Sequence, residues 1–202
     1  MLNAALTGNV AAGKSTVADW FSQWGATLID SDMLVREVQR PGSPTLESII
    51  SRFGRGILNS DGSLNRSSLR SRVLSNADEL ASLNAIVHPA VARLRAAQID
   101  EAHARGDQIV VNDIPLLFEV LDPKEFDAVV LVEAPVSTRK KRLLERGLTE
   151  DEARRLIESQ SPSQPKRARS RIVISNGGSL SDLEMRAMEA WSELCELADS
   201  SP

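Results

Sequence analysis

The feature that most constrains this chain is a glycine-rich motif of nine residues close to its start. The motif reads Gly8-Asn9-Val10-Ala11-Ala12-Gly13-Lys14-Ser15-Thr16 and fits the pattern G-x-x-x-x-G-K-[ST]. Its two glycines permit a sharp departure from a strand and a close approach of the backbone to a ligand. The amides between them converge on anionic oxygens, and a following helix adds its positive N-terminal end. The pattern predicts a phosphate-binding loop, in which Lys14 reaches the β- and γ-phosphates and the Ser15 hydroxyl binds Mg²⁺.

The segments on both sides of this loop supply the context that the motif requires. Residues 2–7 are short and mostly apolar, as is typical of a buried parallel strand. After the loop, one apolar helical face is formed by Val17, Trp20, Phe21 and Trp24. Gly25 then ends the predicted helix. The alternative is a chance glycine-rich turn before a helix, and the presence of both flanking segments argues against it.

The composition indicates an ordinary globular protein with one core and room for an inserted subdomain. The 202 residues are 42% hydrophobic and 26% charged, and the net charge of -4 does not suggest a general nucleic-acid binder. The single Cys195 excludes an internal disulfide. No apolar run approaches the ~18 residues of a membrane span, and no signal peptide precedes the first strand. We therefore expect a cytoplasmic monomer or small homo-oligomer without membrane or nucleic-acid partners.

Two aspartates follow the second predicted strand, residues 26–29. In open α/β sheets, ligands bind at the carboxyl ends of the strands, so carboxylates placed there are candidates for a functional site. Helix capping is the alternative, because Asp favours the N-cap position and residues 33–40 are predicted to be helical. Capping alone would account for Asp30, whereas we favour a chemical role for Asp32.

Residues 33–105 carry little strand signal and are predicted to be mostly helical. Pro89 restricts His88 to extended backbone angles, so a break is expected there. A helix over residues 90–105 follows and stops at Gly106. The whole stretch is longer than a crossover between parallel strands requires. We therefore predict a helical insertion that holds a second substrate, while His88 on its own is more often a structural residue than a catalyst.

An acid also ends the third predicted strand, residues 109–112, because Asp113 follows it directly. An apolar strand ending in Asp is typical of the carboxylate that holds Mg²⁺ in phosphate-loop enzymes. A loop acid that faces water is an equally good interpretation. Residues 128–132 form a near-continuous β-branched run, which predicts a fourth strand buried on both faces.

Positive charge is concentrated after the fourth strand. Three arginines share one helical face by their spacing, and these are Arg139, Arg142 and Arg146, with Lys140 and Lys141 between them. The basic character continues at Lys166, Arg167, Arg169 and Arg171. One interpretation is a solvated face paired with nearby acids. The other, favoured because two basic helical segments accompany a phosphate loop, is a lid whose arginines neutralise a transferring phosphate.

The remaining elements complete an alternation of strands and helices. Capping patterns that predict helix starts occur at Asn76 with Glu79, Thr149 with Glu152, and Ser181 with Glu184. Residues 171–176 predict a fifth strand. The alternation predicts an α/β fold of three layers around a five-stranded parallel sheet with right-handed crossovers.

Several short stretches together resemble the dephospho-CoA kinase family, and the resemblance covers nearly the whole chain. They are residues 6–16, Ile29-Asp30-Ser31-Asp32, Val35-Arg36-Glu37-Val38, His88-Pro89, Ile114-Pro115-Leu116-Leu117-Phe118-Glu119, Arg142 with Arg146, Gln160, and Ile174-x-Asn176-x-Gly178. The phosphate loop alone indicates only a nucleotide binder. The Asp-x-Asp, His-Pro and Pro-Leu-Leu segments in this order are much more specific.

The resemblance implies ATP-dependent phosphorylation of the ribose 3′-hydroxyl of dephospho-CoA, the last step of coenzyme A synthesis, with Mg²⁺ as cofactor. It also implies a P-loop NTPase fold in three parts. A nucleotide-binding core would comprise residues 1–32, 106–135 and 171–202. A helical acceptor domain would comprise residues 33–105, and a helical lid residues 136–170.

The functional positions of the family map onto residues of this chain. The resemblance gives Asp32 the role of the base, with Lys14 and Arg142 as the other catalytic residues. The implied nucleotide-binding residues are Gly8, Asn9, Val10, Ala11, Ala12, Gly13, Lys14, Ser15, Thr16, Arg142, Arg146, Asn176 and Gly178. The implied acceptor-binding residues are Asp32, Arg36, His88, Pro115, Leu116 and Leu117. The metal is assigned to Ser15 by the loop motif and to Asp113 by its place at the end of the third strand.

The chain departs from the family pattern in three places. Its loop carries Asn9, Ala11 and Ala12 where the family is richer in glycine, although these positions still contribute backbone amides. Gly147 directly follows the second lid arginine where the family often has an acid, and Ser170-Arg171 stands where an acid is usual. These departures bear on the geometry of the lid rather than on the core chemistry.

Two other functions share part of the pattern. Another small-molecule kinase, for example a nucleoside monophosphate kinase, would share the loop and the lid but not the His-Pro and Pro-Leu-Leu segments. A nucleotide-dependent switch is the second alternative. A guanine-specific switch normally carries an Asn-Lys-x-Asp motif, which this sequence lacks.

Overall fold

The computed structural model describes residues 1–200 of the chain, in which strands alternate with helices. The strands are β1 (Leu2–Gly8), β2 (Thr27–Asp30), β3 (Ile109–Asp113), β4 (Ala128–Glu133) and β5 (Ile172–Ser175). The α-helices are α1 (Lys14–Gln23), α2 (Ser31–Val38), α3 (Pro44–Phe53), α4 (Arg66–Leu74), α5 (Ala77–Arg105), α6 (Leu117–Val120), α7 (Val136–Glu145), α8 (Glu150–Glu158), α9 (Ser163–Arg167) and α10 (Leu180–Ser200). Short 3-10 turns lie at Arg55–Ile57 and Pro123–Glu125. Within the described residues, no helix combines the length and the apolar composition that crossing a membrane requires.

The five strands form one parallel sheet in the order β2-β3-β1-β4-β5. β1 is central, and its residue Leu6 lies between Asp113 of β3 and Val130 of β4. The first five residues of β4 are all buried, which explains why its sequence is a continuous apolar run rather than an alternating one. The predicted parallel sheet of five strands is confirmed. Its carboxyl edge carries Gly8, Asp113 and Glu133 as the last residues of three strands.

Helices α1 and α10 pack with the sheet in one apolar cluster. Phe21 of α1, Leu194 of α10 and Val130 of β4 are all fully buried in it. The rings of Phe21 and Trp191 lie 5.6 Å apart between their centroids. Burying a side chain of this size contributes about 1.5–3 kcal/mol, so the amphipathic spacing of the two helices largely determines where they pack.

Residues 30–101 form a second compact unit, and residues 1–29 with the described residues from 102 onward form the first. The second unit has its own core, formed by Leu46, Ile49, Phe53, Ile57, Leu64, Leu69, Val73 and Val87. The side chains of Ser43 and Asn65 accept hydrogen bonds from backbone amides and cap α3 and α4. The functional division into core, acceptor domain and lid stays a prediction.

Helix α5 runs through Pro89, so the predicted break at His88-Pro89 is wrong. Proline removes one backbone donor and disfavours the helical region in the residue before it, but neither effect forbids a helix. Val87 and Val91 lie on either side of the proline and pack in the core of the second unit, which holds the helix across it. The predicted stop at Gly106 is confirmed, because α5 ends at the preceding residue and Gly106 adopts a φ of 80°.

Two predicted helix caps of α8 and α5 differ in how fully they form. The Thr149–Glu152 box of α8 is confirmed, with both reciprocal hydrogen bonds present. The backbone amide and the hydroxyl of Thr149 hold the pKa of the Glu152 carboxyl below its usual range. Asn76 accepts hydrogen bonds from two backbone amides at the start of α5. The Glu79 carboxylate does not complete that box, because it forms an ion pair with Arg72 instead.

The cap of α10 lies earlier than predicted. The Ser181–Glu184 box is wrong, because Ser179 Oγ accepts a hydrogen bond from the amide of Asp182 at 3.1 Å. The Asp182 carboxylate accepts in return from the amide of Ser179 at 2.8 Å. Hydrogen bonds from the hydroxyl and amide of Ser179 lower the pKa of Asp182. A β-carbon on Gly178 would lie 2.5 Å from that carboxylate, so a larger residue there would displace the carboxylate and weaken the cap.

We expect Leu194→Ala to destabilise the protein by about 2–5 kcal/mol, because it leaves a cavity under α10. Leu180→Ala on the same helix is the matched control, since Leu180 is 66% exposed whereas Leu194 is 0% exposed. The control should change the free energy of unfolding by no more than about 0.5 kcal/mol. Urea denaturation followed by circular dichroism measures both. Equal effects of the two substitutions would contradict the assigned packing of α10.

Candidate active site

The phosphate loop has a backbone conformation that requires glycine at two positions. A β-carbon on Gly8 would lie 2.5 Å from the carbonyl oxygen of Val132. Gly13 has a φ of 100°, and a β-carbon there would overlap the side-chain amide of Asn176. Ala11 also adopts a left-handed φ, 57°, which costs a non-glycine residue about 1–2 kcal/mol. Contacts from the rest of the molecule must therefore hold the loop in this shape.

Two side chains, which we call the Arg142–Asn176 clamp, hold the loop from outside. Arg142 Nη1 donates to the carbonyl oxygens of Ala11 at 3.2 Å and Ala12 at 3.4 Å. Its Nη2 donates to Asn176 Oδ1 at 3.0 Å, and Asn176 Nδ2 donates to the Ala12 carbonyl at 2.8 Å. Asn176 is only 4% exposed, so water competes little for these bonds. The clamp joins the loop, α7 and the residue after β5.

A lysine–carboxylate pair lies at the carboxyl edge of the sheet. Lys14, the first residue of α1, forms an ion pair with Asp113, the last residue of β3. Asp113 is 8% exposed, so its interpretation as a loop acid that faces water is wrong. The reason is that β3 continues one residue further than predicted and carries the carboxylate into the buried edge. The pair holds the Lys14 ammonium beside the loop.

The oxygen donors near this pair fit Mg²⁺. The Ser15 hydroxyl is exposed in the first turn of α1, and the Asp113 carboxylate ends the neighbouring strand β3. Mg²⁺ prefers oxygen ligands and is usually held by one or two carboxylates together with substrate phosphates. Residues 1–200 contain no cluster of three or more His, Cys, Asp or Glu side chains that could hold a metal ion by themselves.

The basic residues of α7 differ in their surroundings. Arg139 is 5% exposed, and its Nε and Nη1 atoms make no hydrogen bond. Burial lowers the pKa of this guanidinium. Lys140 and Lys141 each pair with a glutamate, whereas Arg146 is exposed at the end of the helix. The solvated-face interpretation therefore describes the lysines, while Arg139 is buried and Arg142 binds the loop.

A set of contacts that the sequence did not reveal joins the loop to the residues after α8. Gln160 Oε1 accepts a hydrogen bond from the backbone amide of Val10 at 2.8 Å. Asn9 Nδ2 donates to Ser163 Oγ at 3.2 Å, and Asn9 Oδ1 accepts from Lys166 Nζ at 3.0 Å. The partners Asn9 and Lys166 are 157 positions apart, so no local pattern could have indicated the contact.

The Pro-Leu-Leu segment follows β3 and is fixed to the end of β1. The Thr7 hydroxyl donates to the carbonyl oxygen of Pro115 at 3.3 Å. Leu117 is 0% exposed and packs in an apolar cluster with Phe126. Leu116 is 45% exposed. Leu117 is thus part of the core under the segment, and Leu116 is an exposed apolar side chain of the segment.

The candidate residues of the second unit lie on two of its helices. Asp30 is the N-cap of α2, and its carboxylate accepts from the amides of Asp32 at 2.8 Å and Met33 at 3.1 Å, which confirms its capping role. α2 begins at Ser31 rather than at residue 33, so Asp32 lies exposed in the first turn of a helix. Arg36 is exposed further along α2, and His88 is exposed in the middle of α5.

A loop of this conformation, placed between a buried strand and the positive end of a helix, is an anion site suited to a polyphosphate. The first unit has a P-loop nucleotide-binding fold of the kinase type. Three features define it: Lys14 at the loop, Asp113 beside it, and the order of the strands in the sheet. The predicted fold class is therefore confirmed.

Comparisons with known proteins identify the family. The family model described as Dephospho-CoA kinase matches residues 2–182. A dephospho-CoA kinase of Corynebacterium glutamicum is 40% identical over 195 residues, which cover 96% of this chain and 98% of that protein. A dephospho-CoA kinase of Mycobacterium bovis is 43% identical over 192 residues, which cover 95% of this chain and 47% of that protein. The chain belongs to the dephospho-CoA kinase family, whose reaction is the ATP-dependent final step of coenzyme A biosynthesis.

Solved structures agree with this assignment at the level of the fold. A Thermus thermophilus protein superposes with a TM-score of 0.81 at 34% identity, over 98% of this chain and 97% of its own. A dephospho-CoA kinase from Campylobacter jejuni has a TM-score of 0.73 at 23% identity, over 96% of both chains. A shikimate kinase from Bacteroides thetaiotaomicron has a TM-score of 0.56 at 15% identity, over 96% of this chain and 98% of its own. The last two likenesses show the shared fold alone.

The family assignment decides between the functions that the sequence left open. The chain is a kinase, which excludes the nucleotide-dependent switch. A nucleoside monophosphate kinase would share the phosphate loop, but the match to the dephospho-CoA kinase family extends over the His-Pro and Pro-Leu-Leu segments as well.

We expect Gly13→Ala to weaken binding of an ATP analogue by at least about tenfold, because it adds about 1–2 kcal/mol of backbone strain to the overlap with Asn176. Gly25→Ala is the matched control, since Gly25 has a similar φ of 113° but no atom within 4 Å of the added carbon. Gly25→Ala should lower the free energy of unfolding slightly and leave the dissociation constant of the ATP analogue unchanged. Isothermal titration calorimetry with a non-hydrolysable analogue measures both constants. Equal affinities in the two variants would contradict the described loop geometry.

Proposed function

We propose a division of roles among the residues of this chain for the transfer of the ATP γ-phosphoryl group to the ribose 3′-hydroxyl of dephospho-CoA. In this reaction the 3′-oxygen forms a bond to the γ-phosphorus, and the bond from that phosphorus to the β–γ bridging oxygen breaks. The 3′-hydroxyl proton passes to a carboxylate. Such reactions depend on positioning and on charge stabilisation more than on covalent chemistry by the protein.

The observation that carries the proposal is the set of cationic groups fixed at one loop. Lys14 starts α1 beside Asp113, and Arg142 binds the carbonyl oxygens of Ala11 and Ala12. We assign Lys14 to the β- and γ-phosphates and Arg142 to the charge that develops on the transferring group. Arg146 is exposed and free to approach the nucleotide from α7.

The adenine is assigned to the turn after β5. Both ends of the Asn176 side chain are engaged in the clamp, so this residue would contact the base through its backbone. Gly178 lies two residues further on, beside the cap of α10. The loop amides from Asn9 to Thr16 would hold the phosphates, except that the amide of Val10 already donates to Gln160 and the amide of Ala12 to the Asn9 carbonyl oxygen.

Mg²⁺ is the proposed metal cofactor, held by the Ser15 hydroxyl and the Asp113 carboxylate together with nucleotide oxygens. When bound, it neutralises charge on the β- and γ-phosphates. Asp113 has a second role in the protein itself, because it holds the Lys14 ammonium in place.

The acceptor is assigned to the residues that the family resemblance indicates, and each is described within its own unit. Asp32 would orient the 3′-hydroxyl and accept its proton, and its exposed position in the first turn of α2 leaves the carboxylate accessible. Arg36 and His88 are assigned to the acceptor by the family resemblance. Pro115 and Leu116 would contact the pantetheine arm, with Leu117 buried beneath them. We further propose a cytoplasmic location and a monomer or small homo-oligomer without nucleic-acid partners.

The experiment that tests the function is a coupled assay of ADP release with ATP, Mg²⁺ and dephospho-CoA, with the product identified by mass. Parallel reactions replace dephospho-CoA with AMP, shikimate or no acceptor. We expect turnover with dephospho-CoA and a product heavier by one phosphate on the 3′-oxygen. Turnover with a different acceptor alone would refute the proposed substrate, and ADP release independent of every acceptor would refute a kinase role for the site.

We expect Asp32→Asn to fold normally, bind ATP and lose at least about 100-fold in kcat, because general-base catalysis contributes about 10²–10⁴-fold. Asp30→Asn is the matched control two positions away, since asparagine caps a helix as well as aspartate does. The control should keep near-normal turnover. Steady-state kinetics and circular dichroism of both variants provide the measurement. Near-normal turnover of Asp32→Asn would contradict the assignment of Asp32 as the general base.

A further inference from the structure

The residues between α8 and β5 contact the phosphate loop through side chains at several positions. We call residues 160–169 the bracket segment. Gln160 accepts from the amide of Val10, and Ser163 and Lys166 bind the two ends of the Asn9 side-chain amide. The carbonyl oxygen of Ser161 accepts a further bond from Asn9 Nδ2 at 3.4 Å. The side chain of Asn9, 5% exposed, is thus used entirely on the bracket segment.

The same segment also binds the chain that follows β3. Lys166 Nζ forms an ion pair with Glu119 Oε1 at 2.9 Å. The Arg169 guanidinium carbon lies 5.2 Å from the centroid of the Phe118 ring, within the range of a cation–π contact. Phe118 and Glu119 directly follow the Pro115–Leu117 turn, which is the part of the first unit assigned to the acceptor. The bracket segment therefore touches both the nucleotide loop and the residues that directly follow the acceptor turn.

Lys166 contacts both sides. Its ammonium donates to Asn9 in the loop and to Glu119 beyond the acceptor turn, and the residue is 2% exposed. A buried ammonium must keep its partners, since water cannot replace them. A movement of the loop that withdraws Asn9 would therefore alter the position of the cation, and with it that of Glu119. The neighbouring Arg167 differs, because it pairs with Glu133 while its side chain stays 57% exposed.

We propose that Lys166 is a positioning residue that couples nucleotide binding at the phosphate loop to acceptor binding at the Pro115–Leu117 turn. The inference rests on the proposed acceptor role of that turn. Because the coupling is thermodynamic, it is reciprocal: a bound nucleotide raises the affinity for the acceptor by the same factor as the acceptor raises the affinity for the nucleotide. Asn9 carries the coupling on the loop side, which gives a function to one of the positions where this chain departs from the glycine-rich family pattern.

The test measures that factor. The dissociation constant of a non-hydrolysable ATP analogue with Mg²⁺ is determined by calorimetry in the absence and presence of saturating dephospho-CoA. The variants are Lys166→Met, Lys166→Arg and Asn9→Ala, and Arg167→Met is the matched control on the same helix. We expect the native protein and the control to show coupling of about tenfold, within the usual range of about 5–150-fold.

In Lys166→Met the coupling should fall to about one, while each ligand alone binds within about threefold of the native protein. Lys166→Arg should retain part of the coupling because it keeps the charge and the donors. Asn9→Ala leaves the Lys166–Glu119 pair intact, so it tests the same coupling if Lys166→Met does not fold. Kinetics give an independent readout, since the KM for ATP should lose its dependence on acceptor concentration in Lys166→Met and Asn9→Ala.

Two results would overturn the inference. The first is unchanged coupling in Asn9→Ala and Lys166→Met, with effects on melting temperature alone, which would make the contact purely structural. The second is a native protein that phosphorylates dephospho-CoA but binds the two ligands independently. A native protein that neither binds nor phosphorylates dephospho-CoA would refute the proposed function as well, and the acceptor assay distinguishes that case.

Discussion

The carbonyl oxygen of Ala12 receives hydrogen bonds from two side chains, and the shape of the phosphate loop depends on them. Asn176 and Arg142 come from the residue after β5 and from α7, and they also bind each other. Their positions explain why Gly13 tolerates no side chain, because the Asn176 amide occupies the space that a β-carbon would need. The loop is thus a joint product of three distant parts of the chain, each of which has to fold before the anion site has its final form.

The elements that the sequence predicted are those controlled by local patterns. The apolar spacing after the loop and in the last helix predicted the faces of α1 and α10, and the continuous apolar run predicted the buried strand β4. The motif at Gly8–Thr16 predicted the phosphate loop because its two glycines, its lysine and its hydroxyl residue occur at the spacing that phosphate binding requires. Thr149 correctly indicated the start of α8, because the hydrogen bonds of a helix cap join residues that are only three positions apart in the sequence.

The errors arose where a local preference competed with packing. Pro89 signalled a break, but apolar contacts on both sides of it hold α5 continuous. Ser181 and Glu184 had the right residue types for a cap, and Ser179 with Asp182 formed it instead. The burial of Asp113, Arg139 and Lys166 could not be predicted at all, because charge and spacing are the same for a solvated residue and a buried one. For the site, the motif and the family resemblance predicted which residues take part. The contacts that hold the phosphate loop could be seen only in the structure.

The aromatic cluster has a consequence for spectroscopy of this protein. All three tryptophans, Trp20, Trp24 and Trp191, belong to the first unit, and the chain contains no tyrosine. Trp20 and Trp24 are stacked with centroids 6.2 Å apart, and Trp24 lies 6.4 Å from Trp191. Intrinsic tryptophan fluorescence therefore comes from α1 and α10, and residues 30–101 contain no tryptophan. A melting curve recorded by fluorescence follows the surroundings of these three side chains, whereas circular dichroism follows the helix content of both units.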